Sequence, residues 1–482
     1  MSSLAFATIK ELRDKLDKNE ISSKELVEYY AGRFEKYNSK LGAALEVFDT
    51  ESISKASSST GALAGIPGII KDNISQKNRK LTCASKILEN FVSTYDATAV
   101  KRLKEAGAAL MGRANLDEFA MGSSNETSAY GKAYNPWNLN CVPGGSSGGS
   151  AVAVAAGLVP WALGSETGGS VRLPASFCGI YGLKPTYGLV SRYGLTAYAS
   201  SLDQIGVFSR TVEDNASVLS VLAGRDFKDS SSLQVDGKDF NSFLTGELKP
   251  GLKIGVIQNS LEAEGMDPEI KEAIQKTIKF YEEQGTTITY LNIDAIDYAT
   301  AAYFIISRAE AASNLARFDG VRYGYRNKEA KSLDEMYSKT RHDGFGEEVR
   351  SRILVGNYVL SAGHSGDFYD NAKKVQRLIR KQLMDTFAKV DVLIAPTHAA
   401  PAFKFGAFDE NKLQMDLQDY FTCFVNMAGV PALSIPCGFT KDKMPIGFQL
   451  VGPHLSEGLL YQTAQVYEKA TDWHKMHPPG FE

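Results

Sequence analysis

Two reciprocal polar signals open the chain, Thr8 with Glu11 and Ser22 with Glu25, each standing just before an amphipathic stretch. A hydroxyl that caps a helix while the glutamate three residues on returns to the cap predicts two N-terminal helices. Beyond them the apolar residues gather in short blocks. Gly65 to Asn73 carries an apolar run ending at Lys71, Val159 to Gly164 forms another, and Leu252–Ile257, Val390–Pro396 and Ala432–Pro436 follow, all reading as buried strands. Between them, Ala151–Ala156 closed by Gly157 reads as a short helix, and Asp267-Pro268 opens a longer one that stops near Gly285. The pattern is α/β.

At 482 residues and 43% hydrophobic content the chain can bury a large core, and length alone would accommodate two or three domains. The blocks instead suggest one α/β domain over 1–482. It divides into a helical lead (1–60), a first core region (61–224), a polar connection (225–251) and the remainder (252–482). A net charge of −3 and a pI near 6.2 give no global footprint for nucleic acid. Cys83, Cys141, Cys178, Cys423 and Cys437 are dispersed, odd in number and without metal-ligand spacing, which fits reduced thiols in the cytoplasm and no metal site. Lys10, Glu11, Arg13 and Asp14 interrupt the N-terminus, so neither a secretory segment nor a membrane span is expected there.

Three glycine-framed elements carry the chemistry: Lys71 after its apolar run, Gly144–Ser150 (GGSSGGS), and Gly168-Gly169-Ser170. A serine hydroxyl becomes a nucleophile only when a base takes its proton and fixed donors receive the oxyanion. No histidine precedes His342, whereas Lys71 already sits in a buried-looking segment. A free lysine titrates at about 10.4, so it serves as a base only if its site lowers that value. In a strand, Asp72 would point to the opposite face and leave the amine without a carboxylate partner. Taken alone, Lys71 also reads as a snorkelling residue at a strand end.

The serine-glycine run could be a flexible tether, but it passes directly into a helix, a strand and a second glycine loop. A phosphate loop is disfavoured because no Lys-Ser/Thr pair follows Gly149. In Gly164–Ala175, glycines would let backbone N–H groups around Thr167, Gly168, Gly169 and Ser170 converge on a carbonyl oxygen. Ser170 would sit where a helix begins, with the helix terminus adding to that field.

These segments resemble the amidase signature family, whose hallmark is a Ser-cisSer-Lys triad with the lysine first. The resemblance implies a large mixed sheet covered by helices on both faces. It makes Ser170 the nucleophile, Ser146 the relay after a cis Gly145–Ser146 bond, and Lys71 the base; Ser147 competes for the relay on spacing alone. Met121–Glu126, Asn135–Asn138, Lys184–Gly188, Ser191–Leu195, Ala199–Gly206 and Phe318–Tyr325 are similar to one branch, the A subunits of aminoacyl-tRNA amidotransferases. That branch implies glutamine hydrolysis through an acyl-enzyme, with ammonia passed to a B subunit using ATP and Mg2+. A small C subunit joins the complex, and charged tRNA, Glu on tRNA(Gln) or Asp on tRNA(Asn), is held mainly by the partner. No cofactor is implied in this chain. By the same resemblance Arg352 meets the glutamine carboxylate, Asp419 the ammonium, and Tyr303 lines the pocket. As bare residues, without the resemblance, Arg352 and Asp419 read rather as surface ion-pair partners. Glu166, where aspartate is more usual, and Leu173, where glutamine is common, depart from the branch. A stand-alone amide hydrolase is the alternative reading, and a non-catalytic scaffold a third.

Overall fold

Both N-terminal caps form. Thr8 Oγ1 accepts from the Glu11 N–H at 3.1 Å while the Thr8 N–H donates to the Glu11 carboxylate at 2.8 Å, and Ser22 and Glu25 repeat the exchange. The helices they start, Ile9–Asp17 and Ser23–Leu41, bury Leu12, Leu26, Tyr30 and Phe34 in the larger apolar core. This computed structural model describes residues 4–56, 60–411, 414–415 and 417–482.

Among the described residues the strands are β1 (Ala44–Val47), β2 (Pro67–Lys71), β3 (Ala109–Ala114), β4 (Trp161–Glu166), β5 (Tyr181–Lys184), β6 (Gln204–Ser209), β7 (Lys253–Ile257), β8 (Thr287–Leu291), β9 (Val392–Pro396), β10 (Ala432–Phe439) and β11 (Pro445–Val451). All eleven join one mixed sheet in the order β1-β3-β2-β4-β6-β5-β10-β11-β9-β7-β8. The apolar blocks are long enough to be buried on both faces. On β9, Val392 and Ile394 enter one core and Leu393 and Ala395 the other; on β7, Ile254 and Val256 face the first and Ile257 the second. Strand alternation thus distributes one apolar run between two helical layers. The fold is the α/β arrangement the sequence implied.

β2 and β4 are parallel neighbours, with Ile70 opposite Leu163, so their C-terminal ends open at the same edge of the sheet. Lys71 ends one and the Thr167–Ser170 loop follows the other. In open α/β sheets such strand ends are where ligands gather. The glycine run enters its helix three residues earlier than its alanines suggested: the helix spans Gly148–Ala155, its first turn pressed so closely on Asn125 and Asn115 that side chains have no room. All five cysteines are free and buried, and no helix among the described residues is long and apolar enough to cross a membrane.

Candidate active site

Lys71 is fully buried. Its Nζ lies 2.7 Å from Ser146 Oγ, 2.8 Å from Ser147 Oγ and 3.2 Å from the Ser165 carbonyl oxygen. Asp72 turns to the other face, where Arg113 Nε donates to it at 2.8 Å and the Thr82 N–H at 3.0 Å. With no carboxylate in contact, burial pulls the Lys71 amine down to about 7, against the more distant charges of Asp117, Asp203 and Glu166.

The surrounding bonds decide where its protons go. Ser147 Oγ donates to the Ser165 carbonyl at 3.0 Å and accepts from the Ser165 N–H at 3.3 Å, so its one proton is committed. A neutral amine then donates its two N–H groups to Ser147 Oγ and the Ser165 carbonyl, leaving its lone pair for the Ser146 hydroxyl proton. Ser146 has Lys71 as its side-chain partner and nothing else among the described residues. The Gly145–Ser146 peptide is cis.

Ser170 is 6% exposed while Ser146 and Ser147 are sealed at 0%, so of the three only Ser170 reaches the surface. The Ser147 N–H donates to the Ser170 carbonyl at 3.2 Å and ties the two serine segments together. Among the described residues the amides of Gly168, Gly169 and Ser170 donate to no protein acceptor. The helix terminus does not add to them as expected. The helix spans Arg172–Cys178, and the amides at its start, Val171 and Arg172, both donate to Glu166 Oε2 at 3.0 Å. A carboxylate one strand-end away has already satisfied them.

Burial pushes the Glu166 carboxyl up, but the charge and hydrogen bonds of Arg172 outweigh it and hold the group below its ordinary range. Arg172, also sealed, reaches further: it donates to Gln449 Oε1 at 2.6 Å, to the Thr422 carbonyl at 2.8 Å and to Asn426 Oδ1 at 2.6 Å. Leu173 packs with Cys141, Val142 and Phe177 in a small apolar cluster, where an amide side chain would need polar partners.

Of the three residues the resemblance assigns to a pocket, Tyr303 and Asp419 pack against the same loop. A Cβ on Gly168 would stand 2.6 Å from Tyr303 Cζ, and one on Gly169 would stand 2.7 Å from Asp419 Oδ1. Glycine is what lets both side chains touch the backbone there. Arg352 is 7% exposed, paired with Glu348 at 2.7 Å and donating to the Tyr198 hydroxyl at 2.8 Å, so it is no surface ion pair. The Tyr198 N–H donates to Asp203 at 2.8 Å, and Thr167 Oγ1 donates to the same carboxylate at 2.7 Å. A bonded chain therefore runs from Arg352 to the Thr167–Ser170 loop. A cavity of about 520 Å3 opens beside it, lined by Glu118, Ser123, Ser124, Gly346, Glu348 and Arg352 among others.

Several residues here escaped the sequence. Ser123, which donates to Asp419 at 3.4 Å, and Asp203 lie in segments that carried the family likeness, but nothing local gave either a role. Asp117 is wholly buried; burial raises its carboxyl, and it accepts from the Asn125 N–H at 2.9 Å and from Thr127 Oγ1 at 2.9 Å. Its own N–H donates to the Ser146 carbonyl at 3.1 Å.

A lysine deprived of counter-charge and leaned on by two serines, at the open edge of a mixed sheet, is the equipment of a serine amide hydrolase. Residues 25–461 match the amidase family model, and the chain belongs to that family. Within it the chain is 50% identical to the A subunit of glutamyl-tRNA(Gln) amidotransferase from Picosynechococcus sp., over 98% of this chain and 99% of that one. The crystal structure of the subunit of that name from Thermotoga maritima superimposes with a TM-score of 0.85 at 39% identity, covering 99% and 98% of the two chains. The 6-aminohexanoate cyclic dimer hydrolase superimposes as well, TM-score 0.86 over all of both chains, but at 26% identity.

Proposed function

We propose that this chain is the glutamine-hydrolysing A subunit of a tRNA-dependent amidotransferase. The observation that carries the chemistry is the Lys71 amine, fully buried 2.7 Å from Ser146 Oγ with no carboxylate in contact. The choice between relatives sharing the fold rests on half-identity along the whole chain, since backbone likeness alone extends equally to a hydrolase of another amide.

In this reading Lys71 draws a proton from Ser146, which draws one from Ser170. Ser170 Oγ attacks the side-chain carboxamide carbon of glutamine, and the amides of Thr167, Gly168, Gly169 and Ser170 receive the oxyanion. The proton returns along the relay to the departing nitrogen, ammonia leaves, and a glutamyl ester remains on Ser170. Water enters by the same relay and releases glutamate. Arg352 meets the substrate carboxylate, Asp419 its ammonium, and Tyr303 closes the pocket wall; a zwitterion calls for opposite charges at its two ends.

Ammonia then passes to a B subunit, where ATP with Mg2+ activates Glu on tRNA(Gln) or Asp on tRNA(Asn); a small C subunit completes a cytoplasmic complex. The proton account also favours Ser146 over Ser147 as relay, because Ser147 has already spent its proton on Ser165.

The test is ammonia release from glutamine by the full chain, beside Ser170→Ala, alone and with the partner subunits, ATP, Mg2+ and misacylated tRNA. Ammonia and amidated tRNA, both abolished by Ser170→Ala, are expected. Hydrolysis of simple amides through Ser170 with glutamine ignored in every mixture would instead favour a stand-alone amidase.

A further inference from the structure

Glu118 is 1% exposed, lies outside the triad, and spends its two oxygens on two segments, one at Ser85 and one at Gly346. Oε2 accepts from the Gly346 N–H at 2.8 Å, and Oε1 accepts from Ser85 Oγ, a hydroxyl also within 3.1 Å of the Gly344 carbonyl. Gly346 is the cap of the helix Glu347–Leu360, and its carbonyl accepts from the Arg350 N–H at 3.1 Å. Arg352 sits on that helix about 9 Å farther along its axis at 1.5 Å per residue.

The other end of the connection is Asp117, adjacent in sequence, whose N–H holds the Ser146 carbonyl. Two local features constrain the chain at and just after this pair. The Glu118 N–H donates to Thr127 Oγ1 at 3.1 Å, and the next two residues, Phe119 and Ala120, are held at φ of 51° and 61°, a region side chains adopt only where their surroundings impose it. Two consecutive residues thus grip the relay-serine segment on one side and the start of the Arg352 helix on the other.

We propose that Glu118 is a positioning residue for substrate recognition, setting the helix that carries Arg352 at a fixed distance from the serines. The inference rests on the reading that Arg352 meets the glutamine carboxylate.

The hydrogen bonds distinguish this tether from a need for charge. With an amide at position 118, the Nε2–H would donate to Ser85 Oγ, Ser85 would donate to the Gly344 carbonyl, and Oε1 would still accept from Gly346. Every partner stays satisfied, so Glu118→Gln keeps the tether and Glu118→Ala cuts it. Gly346 offers a second approach from the far side: its φ of −68° suits alanine, but a Cβ there would stand 2.4 Å from Glu118 Oε2.

The experiment is steady-state glutamine hydrolysis by the full chain and five variants. Glu118→Ala is expected to raise KM about tenfold, the loss of one buried hydrogen-bonded anchor, with kcat held within about twofold. Glu118→Gln stays within about twofold of wild type in both constants. Gly346→Ala raises KM as Glu118→Ala does, and the double variant is no worse than either, because the added methyl fills the space the carboxylate left. The proposal is overturned if Glu118→Ala lowers kcat at unchanged KM, if neither constant moves, or if Glu118→Gln is as damaged as Glu118→Ala. Should Glu118→Ala fail to fold, Gly346→Ala decides. Arg352→Met in the same assay separates the levels: a wild-type KM there means the pocket reading itself has failed.

Discussion

In the proposed mechanism the lysine lone pair is the quantity on which the site turns. Burial lowers Lys71 to about 7, and the protonated amine has three N–H groups and nothing with which to take the Ser146 proton. The sign follows: kcat/KM for glutamine is expected to fall about tenfold per pH unit below 7 and to level off above it, checked by a pH–rate profile. Ser146 and Ser147 should separate as sharply. Ser146→Ala would break the proposed relay and is expected to cost about 10³-fold or more in kcat, while Ser147→Ala removes an acceptor that steadies the amine and a tie to Ser165 and costs about tenfold, read by ammonia release. Lys71 and the serines were visible in the sequence as types and order. Which serine holds a transferable proton was not, because that depends on Ser165, a residue with no marking of its own, presenting its carbonyl and N–H to Ser147.

Among elements, the loop after β4 is held by a clamp the sequence did not announce. Glu166 takes the two amides at the start of the Arg172–Cys178 helix, and Arg172 carries the connection to Thr422, Asn426 and Gln449. Both are 0% exposed, so removing either strands a buried charge. Glu166→Gln or Arg172→Met is expected to lower unfolding free energy by about 3 to 5 kcal/mol, measured by denaturant titration. Activity should fall with it, since the Gly168–Ser170 backbone loses its brace. Five of the eleven described strands, β2, β4, β7, β9 and β10, and a minority of the helices were legible from apolar blocks and caps; the function of this helix start was misjudged because a free terminus and one capped by a carboxylate five residues earlier look alike in sequence.

At the scale of the molecule, the site draws on both ends of the chain. β5 borders β10, with Leu183 opposite Leu433, so early and late strands meet in the middle of the sheet rather than at a linker. Cutting at the polar connection around residue 245 would expose that edge and remove the Thr422–Asn426 partners of Arg172. Residues 1–244 expressed alone are expected to show no cooperative unfolding by circular dichroism, and glutaminase activity should return only when both halves are co-expressed. Two halves that each fold and unfold cooperatively would instead mark separate domains.

The sequence by itself determined the α/β class, the paired caps of the N-terminal helices, the buried strand ending in Lys71 and the glycine-serine segments, because each depends on neighbours a few residues apart. What only the tertiary structure decided is everything that needs distant residues in contact: Asp419 and Tyr303 against Gly169 and Gly168, Arg352 reaching Tyr198, and Glu118 tethered to Gly346. Hydrophobic period and capping are local and leave a trace in order. A hydrogen bond across hundreds of residues has direction and length only once the sheet has closed, and no pattern along the chain records it.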